Sequence, residues 1–285
     1  MTMQGKVVVV TGATSGIGEV AAMRLAERGA RIVFIARDAD RAEATLARLR
    51  QAGPGAEHRA HLAELSLMAD TRRVAGEIAA AEPRIDVLIN NAGAVFDRRV
   101  VTSEGLELTF ALNHMAYFVL TLGLMARLKS SAPARIVSTA SAAHQGAHLD
   151  FDDLQSARSF SAMGAYGRSK LCNILFTREL ARRLAGAGVT ANCLHPGVVA
   201  TRFGDNTGGL LGLMMPLVKR LSIPPERGAE TIVHLAASPD VEGVSGLYFA
   251  KCAPATPSAA ARDDAAAARL WQASEQLAGM AALEA

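Results

Sequence analysis

The chain has 285 residues, half of them hydrophobic and a fifth charged, with a net charge of +3 at pH 7. That length allows one large α/β domain or two small ones, and a near-balanced charge without a basic stripe leaves no electrostatic footprint for nucleic acid. Cys172, Cys193 and Cys252 form no CxxC pair and read as free thiols in a reducing compartment, while the scattered histidines, with no HExxH, offer no metal site.

Short β-branched runs alternate with helical patterns along the chain. Strands are predicted at 7–10, 32–35, 58–61, 87–89, 136–138, 190–194 and 246–249. Helices are predicted at 17–28, 39–51, 69–81, 103–128, 164–184, 226–237 and 260–277, the last carrying the only tryptophan, Trp271. This rhythm predicts an α/β fold: a doubly wound, parallel, seven-stranded Rossmann-like sheet with helices on both faces, in a single domain over 1–285. The connections near 142–163 and 198–225 are longer than simple loops and would leave the carboxyl end of the sheet, so they are expected to shape a ligand site. With the first strand beginning so early, no signal peptide or leading membrane anchor is expected. The apolar run "GGLLGLMMPLV" at 208–218 falls short of the ~20 residues that span a bilayer. The expectation is a cytoplasmic protein without a membrane span.

The first strand leads into "TGATSGIG", residues 11–18. The spacing Gly12-x-x-x-Gly16-x-Gly18 is neither GxGxxG nor a P-loop, since no Gly-Lys-Ser/Thr follows. Glycine tolerates positive φ and leaves no Cβ in a ligand's way. A helix starting near Ser15–Ile17 would present unpaired N–H groups and a positive dipole end, which is a pyrophosphate site. Its position after the first strand makes dinucleotide binding the expectation. The second strand ends in Phe34-Ile35-Ala36-Arg37-Asp38. Arg37 stands where its guanidinium fork can face a ribose 2′-phosphate, which favours NADP(H) over NAD(H). The other reading is a solvated Arg37 with Asp38 as a helix N-cap. A small shift that aimed Asp38 at the ribose would favour NAD(H).

Tyr166 and Lys170 lie four apart in "AYGRSK", on one face of a predicted helix. An ammonium near a phenol lowers its pKa and would make Tyr166 a proton donor to a carbonyl or an acceptor from an alcohol. A plain surface pair is the bland alternative.

Together, TGATSGIG, Asn90-Asn91-Ala92-Gly93 after the fourth strand, a serine after the fifth, YxxxK and Pro196-Gly197 after the sixth resemble the short-chain dehydrogenase/reductase family, in order and spacing along nearly the whole chain. "AYGRSKLCNILFTRELARRL", "HPGVVAT" and "GLYFAKC" are most similar to the branch of retinol dehydrogenases and WW-domain oxidoreductases. The light-dependent protochlorophyllide reductases are similar at a greater distance. The resemblance implies a catalytic tetrad. Ser141 would hydrogen-bond the substrate oxygen, Tyr166 would exchange the proton, and Lys170 would bind the nicotinamide ribose and depress the tyrosine pKa. Asn113 would hold a relay water. Ser138 is a rival to Ser141. The resemblance also implies that Gly12, Thr14, Ser15, Gly16, Ile17 and Gly18 surround the phosphates, with Arg37 at the 2′-phosphate. Glu64-Leu65 would stand at the adenine, where the family commonly has Asp-Leu, and Asn91, Ala92 and Gly93 along the adenosine ribose. Pro196, Gly197, Val199 and Thr201 would fix the nicotinamide, with Tyr166 and Lys170 also touching the coenzyme.

The reaction so implied is hydride transfer between nicotinamide and a carbonyl or alcohol on a moderately apolar small molecule. Alternatives are a dinucleotide-binding redox sensor that catalyses little, or a reductase of a conjugated C=C bond. The run at 208–218 reads as a substrate lid, ordinary helix packing or a subunit contact. His144, His148, Phe151 and Phe160 are candidates for the opposite wall. Cys172 reads as a packed core thiol. A homodimer or homotetramer is expected, with the helices near 103–128 and 164–184 as possible pairing faces. Vertebrate retinol enzymes commonly carry an amino-terminal anchor, which argues against transferring a membrane-bound role to this chain.

Overall fold

A computed structural model describes residues 2–197 and 223–279. Val199, Thr201 and the run 208–218 lie outside the described residues. The elements are β1 (Val7–Thr11), α1 (Gly16–Ala26), β2 (Arg31–Ala36), α2 (Ala39–Ala52), β3 (Arg59–Leu62), α3 (Met68–Ala81), β4 (Val87–Asn90), α4 (Leu108–Ser130), β5 (Ala134–Thr139), α5 (Ala162–Arg183), β6 (Val189–His195), α6 (Glu230–Ala237), β7 (Tyr248–Ala250), β8 (Ala253–Pro254) and α7 (Asp264–Ala278). They form one sheet of order β3-β2-β1-β4-β5-β6-β7-β8, parallel from β3 to β7, with β8 antiparallel.

The sheet therefore has eight strands where seven were expected. The eighth comes from a two-residue turn in which Lys251 and Cys252 both take left-handed φ, 51° and 61°. That turn matches the twist of a tight hairpin, yet it lacks the Asn-Gly or Asp-Gly that marks one in a sequence. Thr231 holds it from α6, its Oγ1 accepting from the Cys252 N–H at 3.1 Å.

β1, "VVVVT", is buried along its whole length. A continuous apolar run is what a central parallel strand covered on both faces requires. One core layer lies between the sheet and α3, α4, α5 and α7; the other lies under α1, α2 and α6. β3 starts one residue later than predicted because His58 serves the ladder with its ring. Its Nδ1 accepts from Ile32 N at 3.0 Å. α4 starts at Leu108 rather than near 103, since the Glu107 carboxylate caps it, accepting from Thr109 N and Phe110 N at 2.8 Å each. Its 23 residues are long and apolar enough to cross a bilayer by composition, but 83% of the apolar window is buried inside the protein, as suits a core helix. α3 packs on α4 and α7 on α5, so much of the two expected pairing faces is covered within the chain.

Candidate active site

Steric demands in the glycine turn after β1 are clearest at Gly12 and Gly18. Gly12 has φ 70°, and a Cβ on Gly18 would lie 2.3 Å from the Gly12 carbonyl oxygen and 2.3 Å from Asn91 Nδ2. Asn91 braces this turn, donating from Nδ2 to Thr11 O at 3.2 Å, while Thr11 Oγ1 accepts the N–H groups of Asn91 and Ala92 at 2.8 and 2.9 Å. The loops after β1 and β4 are thus tied together. Ser15 begins α1 in extended backbone without capping it by its hydroxyl, so the first-turn N–H groups face outward beside Thr14, Gly16 and Ile17. This cradle, without a Cβ at Gly12, Gly16 and Gly18 and open at a helix N-terminus, fits a pyrophosphate.

Arg37 is exposed just beyond β2, while Asp38 is the N-cap of α2, its Oδ1 accepting from Arg41 N at 2.8 Å. The carboxylate is committed to its helix and the guanidinium is the group presented. Glu64 turns its carboxylate back onto Ser66, accepting from the Ser66 hydroxyl at 2.8 Å and its N–H at 3.0 Å, and Leu65 is buried in the core.

Tyr166 and Lys170 are both buried on α5. Ser141 follows β5, its Oγ accepting from Ala143 N at 3.1 Å. Ser138, its rival, lies within the strand with its hydroxyl buried and no hydrogen-bond partner among the described residues. Lys170 Nζ donates to Thr139 O at 3.0 Å and stands 5.6 Å from the ring centroids of both Tyr166 and Tyr117. Gly93 lies against the same group, because a Cβ there would meet Asn113 Oδ1 at 3.0 Å and Lys170 Nζ at 3.4 Å. Asn113 sits in a π-helical turn, Ala111–Met115, inside α4. Such a turn re-aims side chains and is common at functional sites. The Asn113 amide is pinned to the backbone of Ala94 and donates to Ser169 Oγ at 3.0 Å, so its visible work is to fasten α4 to α5 and to the β4 loop.

The electrostatics depart from expectation. Burial pushes the Tyr166 phenol up to about 12, with Ser141 pulling the other way, and burial pushes the Lys170 ammonium down to about 7. Burial thus sets the direction for each group, up for the phenol and down for the ammonium.

The connection 142–163 supplies less of a wall than expected. His144 is fully buried, and Phe151 lies under the Arg269 guanidinium at 4.3 Å, packed toward α7. Cys172 is a core thiol, its pKa pushed up to about 12 by burial. Sequence reasoning assigned no role to Thr11, Thr139, Ser169 or His195, which carry the hydrogen bonds between these loops. Threonine and serine near strand ends are too common to signal this.

The family model of the short chain dehydrogenases matches residues 6–208. The chain belongs to the short-chain dehydrogenase family. It is thus an oxidoreductase, as the motifs implied. It is 44% identical to retinol dehydrogenase 14 of Mus musculus, over 98% of this chain and 87% of that one. It is 40% identical to retinol dehydrogenase 13 of Homo sapiens, over 99% and 87%. Among solved structures, a short chain dehydrogenase from Burkholderia cenocepacia J2315 in complex with NADP superimposes with a TM-score of 0.70 at 26% identity, over 87% of this chain and 97% of that one. An uncharacterized protein from Mycobacterium Paratuberculosis gives 0.76 at 30%, over 98% and 95%.

Proposed function

We propose that this enzyme transfers hydride between NADP(H) and the carbonyl or alcohol group of a moderately apolar small molecule, with Tyr166 as proton donor or acceptor. The observation that carries the reading is the buried Lys170, its Nζ 5.6 Å from the Tyr166 ring centroid and donating to Thr139 O at 3.0 Å two residues before Ser141, at the carboxyl edge of the sheet beside the glycine cradle. When bound, the nicotinamide supplies or accepts the hydride. Ser141 and Tyr166 direct hydrogen bonds to the substrate oxygen, and Tyr166 gives it a proton as charge develops. A phenol held near 12 keeps its proton at neutral pH, which suits reduction; the reverse direction needs the phenolate and gains from alkaline pH.

The cradle formed by Gly12, Thr14, Ser15, Gly16, Ile17 and Gly18 would hold the pyrophosphate, and Arg37 the 2′-phosphate. Glu64, Leu65, Asn91, Ala92 and Gly93 would border the adenosine, and Pro196 and Gly197 the nicotinamide. The commitment of Asp38 to its helix and the NADP-bound structural relative support the phosphorylated coenzyme. The retinol dehydrogenase relatives support an apolar alcohol or aldehyde as substrate. The buried free thiols Cys172 and Cys193 support residence in the cytoplasm. A homodimer or homotetramer of this chain would use surfaces other than those that α3 and α7 cover.

The test is oxidation of NADPH by a panel of aldehydes, ketones and enones. Tyr166→Phe is expected to abolish turnover of aldehydes and ketones while leaving NADPH affinity within about threefold. Coenzyme binding without turnover across the panel would overturn the enzyme reading in favour of a redox sensor.

A further inference from the structure

Two histidines hold the peptide group that follows Ser141, one on each side. His144 Nδ1 lies 2.6 Å from Ser141 O, and its Nε2 lies 3.1 Å from the backbone N of Ser258. An amide N–H can only donate and a carbonyl can only accept. His144 is therefore the neutral tautomer with its proton on Nδ1, donating to Ser141 O and accepting at Nε2. His195 has the opposite arrangement. Its Nδ1 accepts from Ala142 N at 3.3 Å and from Gly197 N at 3.2 Å, so its own proton is on Nε2.

We propose that His144 and His195 are positioning residues that clamp the Ser141–Ala142 peptide and so aim the Ser141 hydroxyl at the substrate oxygen. The inference rests on the role of Ser141 proposed above. The carbonyl of that peptide is held by one ring and its N–H by the other, leaving Ser141 little freedom to rotate its backbone. His144 is 0% exposed, and Tyr248 of β7 packs on it edge to face at 5.2 Å, so the ring cannot swing away. Through Ser258 the clamp extends to the carboxyl-terminal segment, beyond the stretch 6–208 that the family model spans. That segment thereby belongs to the support of the catalytic serine. His195 also fastens the Pro196-Gly197 turn to the same peptide, joining the Ser141 loop to the loop after β6.

Two substitutions separate the two bonds of His144. The asparagine amide reaches the place of Nδ1 and the glutamine amide that of Nε2. His144→Asn keeps a donor for Ser141 O and loses the Ser258 contact; His144→Gln does the reverse. With NADPH and the best aldehyde of the panel, His144→Gln is expected to lower kcat at least tenfold, while the NADPH Kd stays within twofold. His144→Asn is expected to restore kcat to within about threefold of wild type. Equal losses in both variants, tracking their Tm, or wild-type kcat in His144→Gln, would overturn the clamp. On the wild-type protein, 15N-histidine spectra at pH 8 should show His144 protonated on Nδ1 and His195 on Nε2; the same tautomer at both sites would overturn it without any variant. Ser141→Ala in the same assay separates the two ideas. If that variant turns over like wild type, the role of Ser141 itself fails. If it is inactive while both His144 variants are wild-type, only the clamp fails.

Discussion

Lys170 offers a direct measure of what burial does at this site. Its ammonium is pushed from 10.5 down to about 7 by desolvation, and among the described residues no carboxylate pairs with it. In the unfolded chain the amine keeps its ordinary pKa. Between pH 9 and pH 7 the unfolded state therefore holds nearly a full proton there, while the folded state takes up only about half of one. Stability rises with pH wherever the unfolded state binds more protons, so this group stabilises the fold less as pH falls. Integrating between those limits, the step from pH 9 to pH 7 lowers stability by roughly 2 kcal/mol through Lys170 alone. Cys172 and Cys193, pushed up to about 12, act in the opposite sense as pH rises toward 9, so the wild-type curve mixes several groups. The difference between wild type and Lys170→Met removes the cysteines and isolates the lysine. The assay is urea unfolding of both proteins, without added coenzyme, at half-unit steps from pH 7 to pH 9. The methionine variant is expected to gain on wild type by roughly 2 kcal/mol as pH drops across that window. A difference that stays flat within 0.5 kcal/mol (about the precision of such curves) would mean that Lys170 titrates as in water and that the desolvation argument is wrong.

Gly18→Ala should weaken both fold and coenzyme site, because a Cβ 2.3 Å from the Gly12 carbonyl oxygen forces the backbone to move. A loss of about 1–3 kcal/mol in urea unfolding is expected, with weaker NADPH binding by fluorescence titration, and unchanged values for both would refute the crowding. Arg37→Ala should weaken NADPH at least tenfold and leave NADH nearly untouched; equal losses for the two coenzymes would refute the 2′-phosphate assignment. Trp271 is 2% exposed, stacks on Phe176 at 5.8 Å, meets Phe118 edge to face at 5.1 Å and donates from Nε1 to Glu275 at 2.7 Å. Trp271→Ala should destabilise by about 3–5 kcal/mol in the same unfolding assay, and a loss under about 1 kcal/mol would refute the view that α7 is anchored by this ring.

The strand and helix order was legible because the apolar runs are long and the glycine turn follows the first of them. The elements that escaped the sequence did so for particular reasons. β8 hangs on two left-handed residues, Lys251 and Cys252, whose side chains do not advertise that backbone. The π turn around Asn113 looks like ordinary helix, because a one-residue change of hydrogen-bond register leaves no mark in composition. At the site, motif order placed Ser141, Tyr166 and Lys170 in one neighbourhood, and the fold brings them together. Motif order could not show that Asp38 is engaged by its own helix, that Asn91 is a brace for the glycine turn, or that His144 faces inward toward Ser141 O. Those facts depend on which of two available partners a side chain meets, and that is decided by packing between elements distant in the chain.

The charge state of the pair is the deeper difference. A four-residue spacing on a helix suggests an ammonium working on a phenol through space, and in water-exposed surroundings that attraction would favour phenolate. Here both groups are removed from water, and desolvation penalises each charged form separately. Tyr166 is held protonated at pH 7 while Lys170 is only about half charged, so the phenol oxygen keeps its proton. Tyr166 is for that reason better prepared to give a proton than to take one. An anionic or hydroxyl-rich ligand that hydrogen-bonds Lys170 is what would stabilise its ammonium and reverse the preference. In the proposed mechanism, what Lys170 touches would govern the direction of proton transfer more than its spacing from the tyrosine.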